Sequence, residues 1–451
     1  MLAALPAAAQ QIAPAAPTTY QRAVAAGYKA AIYCSGIFNA GRSAAQIDAT
    51  ELRGIYPEYD AIVPTLTAEV ARDLRSVAVL YDPALPPRHA FWESKRGCVL
   101  LPIGTDGASA VEGDLAPNHT ITLPRVGPAP ADRRPWPMGD AGIAPRPSPA
   151  LSATIAKAFD RASYGAGETI ATLVVKDGRI VAERYADGFG PFTSNRTWSV
   201  GKSMAGTLAG LARLDPGAPA EIANWRDAHD PRARITLDHL LRMASGLHSD
   251  TAGNRTDALY FGGTAVDEQA PGWPLEVVPG TRFRYANNDI LLAMTAMRAK
   301  LGDAAYDGYA ARALFAPLGM THTVAETDWR GNYMLSSQVW STARDFARLG
   351  QFWLDDGVWQ GRRLLPEGWM RYMTTPSGPQ PATGPGYGAT LWLFGPDQGL
   401  PAGSYAAQGN RGQFIMVIPS QKLIVVRRGE DPGAARFDIA KFAADVAAAV
   451  R

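Results

Sequence analysis

Short β-branched runs at residues 169–176 and 179–185, joined by Asp177-Gly178, carry the pattern of two strands meeting in a tight hairpin turn. Similar runs at 388–394, 404–408, 414–418 and 422–427 predict a second group of strands far downstream. Between them the apolar spacing is helical, from the segment following Ser199 through residue 214 and on to about residue 369, and a last helix is predicted over 436–450. Strands at both ends with helices between imply an α/β (α+β) architecture: one antiparallel sheet assembled from distant segments, flanked by helices, with a helical insertion over about 204–370. The domain beginning at 150 opens with a helix over 150–163.

Ahead of it, residues 19–115 form an N-terminal accessory region, with an Ala-rich helix over 20–38 and strands at 76–81 and 97–101. Nine prolines from Pro117 to Pro149 make 116–149 an extended linker that is neither helix nor inner strand. Residues 1–18 read as a signal-peptide remnant without a basic n-region, or as an apolar tail.

With 451 residues, 47% of them apolar and 19% charged, the chain can bury a large core. A net charge of +2 offers no broad basic field for nucleic acid, and no apolar run reaches the ~20 residues of a membrane span. Cys34 and Cys98 have no second ligand at zinc spacing and the six histidines are dispersed, so neither a metal nor another cofactor is expected. Paired, the two cysteines place the protein in the periplasm or outside the cell; as free thiols they fit the cytoplasm.

The candidate chemistry begins at Ser199-Val200-Gly201-Lys202. A serine one helical turn before a lysine sets an amine beside a hydroxyl, where it can take the proton during attack on a carbonyl. Taken alone, the same spacing is made by a capping serine and a solvated lysine. Gly201-Lys202-Ser203 ends like a phosphate-binding loop, but Arg196 stands where that loop needs a glycine. Thr197 likewise replaces the first glycine of a Gly-x-Ser-x-Gly elbow. Downstream, Tyr285-Ala286-Asn287 precedes an apolar helical run at 290–297 and can project a phenol and an amide into one cleft. A capped amphipathic helix ending at glycine is predicted over 235–247.

With Ser-x-x-Lys, Tyr-x-Asn, the Pro279-Gly280-x-x-Phe283 lead-in and the Leu240-Leu241-x-x-x-Ser245-Gly246-Leu247 segment, the chain from Pro149 to Arg451 resembles the serine β-lactamase and penicillin-recognising superfamily. The similarity is to its class C-like branch of esterases, D-aminopeptidases and 6-aminohexanoate-dimer hydrolases. The resemblance implies Ser199 as nucleophile, Lys202 and Tyr285 as the proton-transfer pair, and Asn287 as an orienting amide. The family's third motif, Lys-Thr-Gly on an edge strand, aligns with Ala407-Gln408-Gly409, which makes the Asn410 N–H the oxyanion partner of the Ser199 N–H. A shifted register puts Arg411 in the cation position instead. Gly409 and Gly412 also suit a simple hairpin turn. Trp273 and Tyr260 are the aromatic residues expected to line the cleft.

The resemblance implies a serine hydrolase acting through an acyl-enzyme on a small ester or amide. A β-lactamase or D-stereospecific peptidase is the alternative within that class, and a non-catalytic ligand-binding member of the fold is the alternative outside it. The missing Lys-Thr-Gly lysine leans the reading away from lactams.

Overall fold

The computed structural model describes residues 16–94, 96–106, 132–227, 229–249 and 256–450. The tail expected before residue 16 and the linker prolines before Pro135 lie outside these residues. Seven antiparallel strands form the main sheet, in the order Gly386–Tyr387, Trp392–Phe394, Ser404–Gly409, Gln413–Ile418, Leu423–Gly429, Thr169–Lys176 and Arg179–Tyr185. The last strand of the chain thus pairs with the first strand of this domain, Val425 opposite Val174. Asp177 and Gly178 close the outer hairpin with φ of 51° and 76°, the left-handed pair that a two-residue turn requires.

Strand alternation buries both faces. Val174, Met416 and Val425 pack with the helices Pro149–Lys157 and Ile439–Ala449 on one side. Leu173, Ile415 and Val426 pack on the other with the helices Val200–Leu211 and Ala343–Leu354.

Several predicted elements are shorter. Residues 388–391 form a turn, with Gly388 N–H donating to the Leu391 carbonyl at 2.9 Å, so the strand expected over 388–394 is only Trp392–Phe394, paired with a short strand Gly386–Tyr387 before the expected range. The helix expected over 235–247 is only Leu237–Leu241, because Met243 at φ 60° leaves the helical conformation well before Gly246. The closing helix begins at Ile439, where Asp438 caps it by accepting from the Lys441 N–H at 2.9 Å.

The accessory region is a four-stranded antiparallel meander, Thr67–Ala71, Ser76–Leu80, Arg88–Glu93 and Gly97–Leu100, crossed by the helix Thr19–Phe38. The strand beginning at Arg88 escaped the sequence pattern because a charged residue opens it. That guanidinium is buried, donating to the carbonyls of Ala23, Leu101 and Phe261. Cys34 and Cys98 are disulfide-bonded, tying helix to sheet. Beside them the buried Glu326 of the main body accepts from Ser35 Oγ at 2.5 Å and Asn39 Nδ2 at 2.9 Å. The accessory region therefore shares one continuous core with the body of the molecule.

Candidate active site

Asn195–Arg196 pairs with Val339–Ser341, and the Thr197 N–H donates to the Val339 carbonyl at 2.7 Å. Trp198 then turns left-handed at φ 51°, and Ser199 stands as the first residue before the helix Val200–Leu211. The Arg196 guanidinium stacks 3.8 Å from the centre of the Trp198 ring.

One turn into the helix, Lys202 is buried, with 1% of its surface exposed. Its Nζ lies 2.9 Å from Ser199 Oγ, 2.6 Å from Asn287 Oδ1 and 2.7 Å from the Ser336 carbonyl. Burial, assisted by the positive charge of Arg196, holds the ammonium well below the usual lysine range. Asn287 is the first residue of the helix Asn287–Leu301, so its amide is carried on a fixed helix start.

Tyr285, two residues earlier, lines the same cavity as Ser199, and burial pushes its phenol above the usual range. Lys202 Nζ also sits 4.9 Å from the centre of the Tyr285 ring. On its other side Tyr285 stacks on Trp392 at 5.6 Å and meets Tyr387 edge-on at 6.2 Å. The structure thus brings Ser199, Lys202, Tyr285 and Asn287 into one cluster.

Ser199, Tyr285 and Asn287 open on a cavity of about 600 Å³, bordered also by Tyr260, Gln408, Gly409 and Asn410. Gly409 ends its strand against the turn that leads into Ser199: a Cβ there would fall 2.4 Å from the Thr197 carbonyl oxygen and 3.2 Å from the Ser199 nitrogen. Close backbone approach, beyond any turn, is what this glycine provides. The turn itself is made by Arg411 and Gly412, at φ 55° and 75°.

Two expected residues are placed differently. Arg411 borders the cavity, but its guanidinium is committed to the Glu430 side chain and carbonyl and to the Asp431 carbonyl, with Glu51 at 3.8 Å. It is not the free cation that the shifted register would require. Trp273 is absent from the described cavity lining and packs against His248, ring centres 5.4 Å apart. Tyr260 does line the cavity and hydrogen-bonds Ser336 Oγ.

Sequence reasoning missed Ser336, Trp392, Trp198 and Tyr56. Ser336 holds Lys202 through a backbone carbonyl, which no side-chain motif encodes. Among the described residues no group of histidine, cysteine and carboxylate side chains is placed to hold a metal ion, and no helix is long and apolar enough to cross a membrane.

Residues 157–448 match the beta-lactamase family, and the chain belongs to it. It is a serine hydrolase of that family. A relative, the 6-aminohexanoate-dimer hydrolase of Paenarthrobacter ureafaciens, is 28% identical over 315 residues, spanning 58% of this chain and 73% of its own length. In fold the chain is similar to a putative 6-aminohexanoate-dimer hydrolase from Bacillus anthracis, with a TM-score of 0.52 and 21% identity over 62% of this chain and 78% of that one. It is also similar to a putative beta-lactamase from Bacteroides dorei, with a TM-score of 0.54 and 21% identity over 66% and 98% of the two chains. A class C beta-lactamase gives 0.52 and 13% identity over 67% and 96%.

Proposed function

We propose that the protein hydrolyses a small ester or linear amide through an acyl-enzyme on Ser199, with Lys202 as general base and Tyr285 as general acid. The observation that carries this reading is the 2.9 Å contact between Lys202 Nζ and Ser199 Oγ in a buried site. A neutral amine has two N–H groups and one lone pair. Asn287 Oδ1 and the Ser336 carbonyl take the two N–H groups, which leaves the lone pair for the Ser199 proton.

Ser199 Oγ then attacks the carbonyl carbon, and the oxyanion is held by the N–H groups of Ser199 and Asn410. The raised Tyr285 phenol keeps its proton at neutral pH, which suits it to protonate the leaving alkoxide or amine as the tetrahedral intermediate collapses. Water enters by the reverse of the same proton path and releases the acid.

The commitment of Arg411 to Glu430 withholds that guanidinium from a lactam carboxylate at the third motif, and supports linear substrates. A linear amide of the kind named for the 6-aminohexanoate-dimer hydrolase relative falls within this class. The bond between Cys34 and Cys98 supports a periplasmic or secreted location.

A panel of short nitrophenyl esters, linear aminohexanoate dimer, D-amino-acid peptides and a chromogenic cephalosporin tests the reading. Turnover of an ester or linear amide is expected. No turnover of any member, with Ser199 inert to a fluorophosphonate, would leave a ligand-binding protein instead.

A further inference from the structure

The family match begins at residue 157, yet Tyr56, a hundred residues earlier in the chain, lines the cavity that holds Ser199. Among the described lining residues it is the one that precedes the family match. Its place is set by aromatic packing. Tyr56 meets Tyr28 edge-on at 5.0 Å and Phe261 edge-on at 5.2 Å, and its ring centre is 6.5 Å from Trp198, the residue before the nucleophile.

The neighbours hold it there. Tyr28 comes from the long accessory helix and hydrogen-bonds the Glu51 carbonyl, fixing the segment that leads to Tyr56. Pro57 starts the short turn of helix that follows, and Tyr59 on that turn donates to Asp257 Oδ2 at 2.9 Å. The positive charge of Arg196 acts on the Tyr56 phenol, opposing the rise that burial imposes. A residue of the accessory region is thereby held against the helical insertion, through Asp257 and Phe261, and beside Trp198, the residue before Ser199.

We infer that Tyr56 is a specificity-determining residue, the wall that limits the length of the apolar chain a substrate can place on the Trp198 side of the cavity. The inference rests on the serine-hydrolase reading above and adds its substrate class: short-chain acyl groups. Behind the Tyr56 ring stand the rings of Tyr28 and Phe261, both buried. Removing the ring joins the space it fills to the cavity, and the new wall is aromatic. Longer acyl chains then gain apolar burial that the native wall denies them.

The test is the ratio of kcat/KM for nitrophenyl octanoate to that for nitrophenyl butyrate, measured on the full chain and on Tyr56→Ala, Tyr56→Phe and Tyr56→Trp. Each protein is also titrated with a small fluorophosphonate, which reports the Ser199 machinery independently of chain length. Tyr56→Ala should raise the ratio by about fourfold for each methylene that enters the enlarged space. Tyr56→Trp should lower it, and Tyr56→Phe should leave it near the native value. If Tyr56→Ala does not fold, the direction of the Tyr56→Trp change decides. An unchanged ratio in proteins that still take the phosphonate would overturn the wall, as would a Tyr56→Phe change equal to that of Tyr56→Ala, which would assign the effect to loss of the hydroxyl rather than of the ring. Failure of the native protein to take the phosphonate removes the serine-hydrolase reading itself, and this inference with it.

Discussion

Asn287 Oδ1 accepts from Lys202 Nζ at 2.6 Å, so the amine facing Ser199 is oriented from its far side by a neutral group. Neutrality matters, because a carboxylate at that position would favour the ammonium and consume the lone pair. Asn287→Asp should therefore cut kcat/KM by about a hundredfold at neutral pH, within the usual range for loss of a general base. The sign follows from protonation: a base acts only above its pKa, so raising the Lys202 pKa moves the acidic limb of the pH–rate profile to higher pH. Part of the lost activity should return as pH rises in Asn287→Asp. A uniform loss at every pH would instead mean that the amide contacts substrate.

In the proposed mechanism, Lys202→Ala and Tyr285→Phe each remove one station on a single proton path through Ser199. Groups that act as a unit give non-additive losses. Single-turnover acylation of the double variant should be little slower than that of the slower single variant. Rates that multiply would assign the two groups to separate steps.

Asp289 lies two residues beyond Asn287, is buried, and accepts from Ser245 Oγ at 2.8 Å. Burial raises its carboxyl from 3.8 to about 7. A carboxyl that holds its proton more tightly when folded contributes stability below its unfolded pKa, and this is lost as pH rises toward the folded value. Between about pH 4 and 7 this one group lowers unfolding free energy by about 1.4 kcal/mol per pH unit. Denaturant unfolding of Asp289→Asn across that range should show a shallower fall than the native chain. Identical slopes would mean that Asp289 ionises normally in the fold.

The sheet and the Ser199, Lys202, Tyr285 and Asn287 cluster were legible because each rests on local spacing. One turn separates Ser199 from Lys202, and two residues separate Tyr285 from Asn287 at the base of the same helix. The 169–176 and 179–185 strands were read to the residue because Asp177-Gly178 allows little but a hairpin. Trp273 was misplaced because nearness to Tyr285 in the chain says nothing of which way a loop turns, and this one carries the ring to His248. The fate of Arg411 depended on Glu430 and on Glu51 from the accessory region, partners that only the folded chain brings together. Tyr56 was invisible for the same reason.

With Arg411 held by Glu430, its guanidinium is withheld from a lactam carboxylate. The ratio of kcat/KM for an activated short-chain ester to that for a chromogenic cephalosporin should favour the ester. A ratio favouring the cephalosporin would mean that another cation serves the site, and Arg411→Ala would show whether Arg411 leaves Glu430 to do so.

The central claim is that Ser199 carries the acyl group. Intact-mass spectrometry of protein quenched in acid during turnover of a slow nitrophenyl ester measures this directly, followed by mapping of the modified peptide. The native chain should gain the mass of the acyl group on the peptide containing Ser199, and Ser199→Ala should gain none and lose several orders of magnitude in rate. An acyl group on any other residue, or substantial turnover by folded Ser199→Ala, would contradict the account.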